Sequence, residues 1–413
     1  MSAKRVLVVG AGPVGLTTAL ALARAKVTVA VFERRDTPNQ TSLASTFHSP
    51  TIAMLEDLGA AGGLLAHGQP VPAIAYFDRG ALAARLDMAL LAGDTRHPGR
   101  NHYEQGKLCL DLLAILRGLP NVSLHFGAAA GAAIPKPDGV ELRLEDGSVQ
   151  RGDYLVAADG ARSAVRESLG ISFDGVDYPS RVLRVITSAD LRALLPQAEP
   201  ISYLYDGERS VSLLKMPEVW RIVYRLAPDE SSEAALEDAS VRARLAHTFG
   251  PFIGKSTPST EAAALPVVYK DVYSASRRVA GAWRAGRVLL AGDAVHVTNT
   301  RGGMNMNCGI HDALAASAAI VASLSASRAD TDPDAPLEAY ATERSRVARE
   351  LLIPRTDGNI TAGSARLAQM RALAADPAGL RAYLARASML DMVAPPYDSL
   401  SAPSHRSQNH ALA

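Results

Sequence analysis

Three clusters of glycine and acidic residues, far apart in the chain, have the spacing to handle a nucleotide. Gly10, Gly12 and Gly15 form a G-x-G-x-x-G turn between an apolar run at 6–9 and a small-residue helix predicted over 16–25. The first glycine permits the tight turn, the second lets a pyrophosphate approach the backbone, and the third brings helix and strand together. The helix N-terminus offers free N–H groups and partial positive charge to phosphates. A second strand, predicted over 27–32, ends at Glu33 and Arg34, where an acid would hold the ribose hydroxyls of an adenosine. This combination predicts dinucleotide binding; the competing reading is a tight turn in an unrelated α/β protein.

The second cluster, Asp159-Gly160 with Arg162 and Arg166, follows a short strand predicted at 154–157. Its acid and arginines could pair as a structural network or organise a loop near phosphates. The third cluster occupies 289–301. A strand predicted at 287–291 ends in Gly292-Asp293, and Gly302-Gly303 opens an apolar helix. Strand, acid, loop and helix in that order place one carboxylate and one helix N-terminus beside a ligand. His296 reads as a loop residue supporting that turn, with catalysis as the alternative. Cys308, just beyond the glycine pair, reads as a packed thiol whose modification could block a ligand.

In this order the three clusters make the chain resemble the group A FAD-dependent aromatic monooxygenases, the aromatic hydroxylase family, over most of its length. The resemblance implies that Gly10, Gly12, Gly15, Glu33 and Arg34 hold the ADP half of FAD. It implies that Asp159 and Gly160 serve flavin and nicotinamide, and that Asp293, Gly302, Gly303, Met304 and Asn305 lie on the flavin side. Further similarities are Ser45-Thr46-Phe47-His48-Ser49-Pro50 and Glu104-Gln105, with Gln105 approaching the flavin. The run from Gly302 to Asn307 with His311-Asp312-Ala313 is similar to a sub-branch acting on hydroxylated aromatic and heteroaromatic rings. Thr300 and Asn305 stand where many members carry proline and glycine.

The implied chemistry uses FAD, NADH or NADPH, and O2. Hydride passes to flavin N5, O2 adds at C4a, and the C4a-hydroperoxyflavin hydroxylates a small aromatic or heteroaromatic substrate. A helix beginning near Gly303 would aim its positive end at the flavin N1–C2=O edge. A base or relay near the substrate is expected, with His48, His97, His102, Tyr103 and Tyr205 as candidates. His48, Tyr205 and His296 are the expected catalytic set. Alternatives are epoxidation or Baeyer–Villiger insertion by the same cofactor, a flavin oxidase or reductase without oxygen transfer, and a non-catalytic dinucleotide-binding protein. A halogenase is disfavoured, because the Trp-x-Trp-x-Ile-Pro segment is missing and only Trp220 and Trp283 occur.

The elements that must position these residues change character along the chain. Hairpin strands are predicted at 72–78 and 81–89, and further strands at 181–187, 201–205, 210–216 and 219–226. In the last of these, Trp220, Ile222, Tyr224 and Leu226 share one face and Arg221 and Arg225 the other, predicting one-sided burial; Tyr203 and Tyr205 alternate likewise. Helices are predicted at 233–249 and 337–352, a loop at 328–336 and a disordered tail at 399–413. The fold class is therefore α/β: a Rossmann-like FAD-binding domain (1–70, 100–178 and 278–345) interleaved with a mostly antiparallel β-sheet substrate domain (71–99 and 179–277), then C-terminal helices (346–398).

Composition fits this picture. A chain of 413 residues is too long for one small core. A net charge of +1 gives no electrostatic case for nucleic acid or an anionic membrane. Two cysteines exclude a disulfide framework, and ten scattered histidines imply no metal. The apolar run at 6–25 is broken for membrane purposes by its glycines and Pro13, and no other stretch is expected to insert. A cytoplasmic monomer or homodimer is expected.

Overall fold

The apolar run at 6–9 becomes the centre of a six-stranded sheet. The structure, a computed structural model, describes residues 4–39, 44–179, 181–253, 259–325, 332–359 and 363–393. The predicted tail at 399–413 and part of the predicted loop at 328–336 lie outside the described residues. Strand order is Arg284–Ala285, Val288–Leu290, Tyr154–Ala157, Arg5–Val9, Thr28–Glu33 and Val122–Phe126, parallel throughout except at the antiparallel Arg284–Ala285 edge. Val6, Leu7 and Val8 are wholly buried, as a parallel strand covered on both faces requires. The first helix is Pro13–Arg24, three residues earlier than predicted, because Pro13 presets the helical φ at its first position.

Register unites the three clusters. Val9 lies opposite Ala157, and Ala157 opposite Leu290. The turns beginning at Gly10, Ala158 and Ala291 therefore leave from the same carboxyl edge, where ligands of open α/β sheets bind. Helix Asn305–Ser325 packs on Pro13–Arg24 behind this edge. That 21-residue helix is long and apolar enough to cross a bilayer, contrary to the expectation of no further such stretch, but it is mostly buried within the fold.

The second sheet has seven strands in the order Val267–Tyr273, Val182–Thr187, Trp220–Arg225, Arg209–Lys215, Ile201–Asp206, Ala73–Asp78 and Ala81–Asp87. Only Ile201–Asp206 and Ala73–Asp78 run parallel. The hairpin turns on Arg79 and Gly80, both at positive φ (46° and 91°), the twist-matched arrangement for a two-residue connection. One-sided burial does not hold, since Arg221 is as buried as its aromatic neighbours. Trp220, Ile222 and Tyr224 pack with Val241, Leu245 and Phe249 in an ordinary core. The reverse face carries Tyr203, Tyr205 and Arg221, and Arg221 reaches Ser45 Oγ at 3.0 Å.

Two predicted helices are reshaped. The one at 233–249 divides into Ser232–Leu236 and Asp238–Phe249, because Glu237 is extended (φ −61°, ψ 137°) and ends one helix while opening the next. The one at 337–352 begins at Ala335, then widens into a π-helical turn, Val347–Leu352, ahead of Ile353–Gly358. Pro354 follows that turn and has no N–H to continue the regular ladder. Helices Gly363–Ala374 and Pro377–Ala387 lay Leu367, Met370, Leu380 and Leu384 against Ile74, Tyr76 and Ile201 of the second sheet.

Helix Ala335–Arg346 is tied to the six-stranded sheet at its edge by Arg284, which pairs with Asp334 and Glu338, and in its interior by the buried Tyr340 hydroxyl, which donates to Leu290 O at 2.6 Å. Tyr340→Phe is expected to lower stability by about 1 kcal/mol, read as a lower urea midpoint at unchanged slope. An unchanged midpoint would show that the bond contributes nothing.

Candidate active site

At the carboxyl edge the three glycines of the first cluster have different jobs. Gly10 has φ +100°, and a Cβ on it would lie 2.3 Å from Ala158 O. A Cβ on Gly15 would sit 1.9 Å from Gly10 O, so helix and strand touch there. A Cβ on Gly12 meets nothing within 4 Å. Gly12 is also the N-cap of a helix with no side-chain cap and no acid in its first turn. Its free N–H groups and dipole thus face open space, a cradle for an anion. Beside it, Glu33 accepts Ala11 N at 2.8 Å and Arg35 N at 3.1 Å, which fixes its carboxylate against the glycine loop. Arg34 is exposed.

The second cluster holds a loop. Asp159 accepts Val165 N at 3.3 Å through one oxygen, while the other is buried without a partner. Burial pushes its carboxyl above the usual range, although Ser163 and the backbone bond work against that. Gly160 has φ +85° and open space beside it. Arg166 donates to Ala161 O and Ala294 O and lies over the Phe173 ring, so it fastens this loop to the late motif. Arg162 is exposed.

The late motif rests on a buried charge network. Asp312 accepts Gly292 N at 3.0 Å and lies 2.8 Å from His296 Nε2, while its other oxygen accepts Arg344 Nε at 2.6 Å. Burial opposes the Asp312 carboxylate, but Arg344 and then His296 outweigh it and hold its pKa at about 2. Burial also opposes an imidazolium at His296, yet the Cys308 sulfur and Asp312 raise its pKa well above the ordinary value. A protonated His296 donates from Nδ1 to Asn305 Oδ1 (3.0 Å), and Asn305 Nδ2 donates to Asp293 Oδ1 (2.8 Å). His296, Cys308 and Asp312 lie close enough to ligate a cation. Arg344, donating to both Asp312 and Cys308 Sγ (3.1 Å), already fills that place.

Gly302 and Gly303 follow at φ +93° and +64°. His48 Nε2 lies 2.7 Å from Gly302 O. Burial first and Arg100 second keep the His48 pKa well below its ordinary value, so the ring is neutral and its Nε2–H donates to that carbonyl. Asn307 donates to Thr46 O and Gly303 O and accepts His48 N, binding the 46–48 segment to the turn. On the other side of the backbone, Gly302 and Met304 wall a cavity shared with Tyr76, Tyr203, Tyr205 and Tyr383. Tyr76 stacks on Tyr203 and Tyr205 with centroids 5.2 and 6.4 Å apart.

Comparison with known proteins matches this architecture. A sequence model of the FAD binding domain family matches residues 3–353. Para-nitrophenol 4-monooxygenase of Pseudomonas sp. (strain WBC-3) is 31% identical over 369 residues, covering 86% of each chain. The chain belongs to the FAD-dependent aromatic monooxygenase family. The 6-hydroxy-3-succinoylpyridine 3-monooxygenase HspB of Pseudomonas putida is 30% identical, covering 86% of this chain and 88% of that one. The crystal structure of p-nitrophenol 4-monooxygenase PnpA from Pseudomonas putida DLL-E4 superposes with a TM-score of 0.79 at 29% identity, covering 96% of this chain and 98% of that one. The protein is a flavin-dependent monooxygenase with FAD as cofactor, and its parallel sheet, antiparallel sheet and C-terminal helices form the fold expected of the family. The open Gly12 cradle and the unpartnered Asp159 oxygen fit that cofactor.

In this monooxygenase Gly10, Gly12, Gly15, Glu33, Asp159, Gly160 and Asp293 gather at one sheet edge. Gln105 opens helix Gln105–Arg117, its N–H bonded to Ala44 O. Of the proposed bases, only Tyr205 reaches the cavity wall. His97 lies beside Glu56 near the surface, His102 donates from Nδ1 to the Lys215 carbonyl, and the Tyr103 hydroxyl donates to Asp111. Cys308 is buried behind the motif beside Arg344. Sequence reasoning missed Arg100, Arg366 and Tyr383 as wall residues and Arg344 as the partner of Asp312. None sits in a motif; only Arg301, closing the late cluster, could have been flagged.

Proposed function

We propose that the tyrosine-walled cavity receives an aromatic or heteroaromatic ring for hydroxylation, and that Gly12, Glu33, Asp159 and Asp293 line the seat of FAD. The observation that carries this reading is the segment 302–305. Its first residues wall the cavity, while Asn305 is bonded to Asp293 at the sheet edge. Relatives that act on para-nitrophenol and on 6-hydroxy-3-succinoylpyridine support a range spanning benzene and pyridine rings. Bound FAD supplies the centre that accepts hydride from NADH or NADPH and activates O2.

The chain's own residues do the rest. The free N-terminus of Pro13–Arg24 receives the diphosphate, and Glu33, with Arg34 beside it, the ribose. Burial raises the pKa of Tyr76 and of Tyr205, so their phenols stay neutral and donate to a substrate oxygen instead of acting as bases. His48 is a positioning residue that fixes the Gly302 carbonyl, and His296 one that fixes Asn305 and Asp293. Gln105 and the Gly303–Met304 backbone complete the flavin side. The domain division is 1–70, 100–178 and 278–345 for FAD, 71–99 and 179–277 for substrate, and 346–398 as closing helices. The core position of helix Asn305–Ser325 argues against membrane insertion and supports the reading of a cytoplasmic enzyme.

Protein loaded with FAD and given NADH or NADPH, isotopically labelled O2 and hydroxylated benzenes or pyridines is expected to incorporate one labelled oxygen per nicotinamide oxidised. Recovery of all reducing equivalents as hydrogen peroxide, whatever the ring offered, would overturn hydroxylation in favour of oxidase chemistry.

A further inference from the structure

The cavity wall carries three guanidinium groups from three separate parts of the chain: Arg100 from the strand Arg100–His102, Arg301 from the turn before Asn305–Ser325, and Arg366 from helix Gly363–Ala374. Every hydrogen bond they make goes to a neutral group. Arg100 Nη2 donates to Ala387 O at 2.9 Å, and its Nε is buried without a partner. Arg301 donates to Asn359 O at 2.9 Å and to Ser210 Oγ at 2.7 Å. Arg366 donates to Gln369 Oε1 at 2.9 Å, to the Tyr383 hydroxyl at 2.7 Å and to Asn359 Oδ1 at 3.5 Å.

Among the described residues no carboxylate lies within ion-pair distance of any of the three. Elsewhere the fold neutralises its buried arginines, as Asp271 does for Arg184 and Asp312 for Arg344. A guanidinium withdrawn from water without an anion is costly, and Arg100 is only 6% exposed. Burial accordingly lowers its pKa. The remaining walls are the Tyr76–Tyr203 stack with Ile74 and Met304; the free volume between them is about 30 Å³, so a flat ring enters against the tyrosine faces only as these side chains part. A neutral ring would leave the charges uncompensated, whereas a carboxylate presents two oxygens in the geometry a guanidinium fork accepts.

We propose that the substrate is an aromatic or heteroaromatic acid whose carboxylate pairs with Arg100, Arg301 and Arg366 while its ring lies against Tyr76 and Tyr203. This rests on reading the cavity as the substrate site. Specificity then follows from charge: the arginines select the acid over its neutral analogue and turn the ring so that the end remote from the carboxylate meets the site of oxygen transfer. They also stabilise a phenolate on the bound ring, which lessens the need for a base that the cavity wall lacks.

The test uses FAD-loaded protein titrated with 4-hydroxybenzoate, 6-hydroxynicotinate and their neutral amides, read by perturbation of flavin absorbance and by calorimetry. Each acid is expected to bind about 10- to 100-fold tighter than its amide. Arg366→Gln and Arg301→Gln are expected to erase that preference while leaving FAD content and amide binding in place, and Arg366→Lys to restore part of it. If acid and amide bind alike to wild-type protein, or the preference survives both substitutions, the anion proposal is overturned while the cavity reading stands. If no ring compound binds, or if binding is indifferent to Tyr76→Ala in variants that keep FAD, the cavity reading itself fails and the proposal with it.

Discussion

Arg344→Met is expected to destabilise the folded protein by about 3–5 kcal/mol, the usual cost of removing one partner from a buried ion pair. The arginine is 1% exposed and donates to Asp312 Oδ1, Cys308 Sγ, Cys308 O and Met392 O. Methionine fills similar space but supplies none of these donors. Asp312 would then face His296 and the Gly292 N–H alone. The damage should reach the site: Asp312 orients His296, His296 orients Asn305, and Asn305 holds Asp293. Urea unfolding measures the first effect and FAD retention on gel filtration the second. The double variant Asp312→Asn/Arg344→Met is expected to lose about 2 kcal/mol less than the sum of the singles, because neutralising both partners leaves no uncompensated charge. Additive losses would show that the pair is not coupled.

The same network predicts a pH window. Asp312 is held at about 2 in the folded protein against about 3.9 unfolded, so its contribution is complete above about pH 4 and is lost as pH falls towards 2. His296 is shifted the other way. Its contribution is complete below about pH 6.5 and is lost as pH rises through the higher folded value. The stability that Arg344→Met removes should therefore be full above about pH 4, where Asp312 is charged, and should shrink as pH falls towards 2. The His296 contribution persists in the variant, because Cys308 and Asp312 supply it. A difference that stays flat as pH falls from about 5 to 2 would mean that Asp312 is not charged as assigned.

How far the sequence alone reveals this site depends on whether a feature is local. The glycine turn at 10–15 is legible because each glycine answers a backbone demand set by its immediate neighbours. Asp293 is legible for the same reason, as the residue after a buried strand. Asn305 is different: its side chain is explained only when the turn brings it back to Asp293 and His296, twelve and nine residues earlier. Period-two alternation correctly groups Trp220 with Tyr224 and Tyr203 with Tyr205, but periodicity does not say which face meets a helix and which meets a ligand. Trp220 went to the core and Tyr205 to the cavity. Arg100, Arg366 and Tyr383 meet only through tertiary packing of the last helices on the second sheet. No spacing rule joins positions so far apart.

The glycine turn yields the sharpest contrast between two similar substitutions. Gly15→Ala is expected to weaken FAD binding about 1000-fold, equivalent to roughly 4 kcal/mol. Its new methyl would sit 1.9 Å from Gly10 O, and neither the backbone carbonyl nor the helix can yield without opening the strand–helix contact. The protein itself should lose stability, since the strained parts are already present before FAD arrives. Gly12→Ala introduces the same methyl three residues earlier: nothing of the protein lies within 4 Å of it, and Gly12 has an ordinary negative φ of −79°. The FAD-free variant should unfold within about 0.5 kcal/mol of wild type. Only the ligand meets the methyl, at the helix N-terminus where the diphosphate is assigned, and affinity should fall about 100-fold. Fluorescence titration with FAD and urea unfolding without it separate the two effects. Were Gly12→Ala to bind FAD as wild type does, the diphosphate would have to lie elsewhere along the edge, and the assignment of Glu33 to the ribose would go with it.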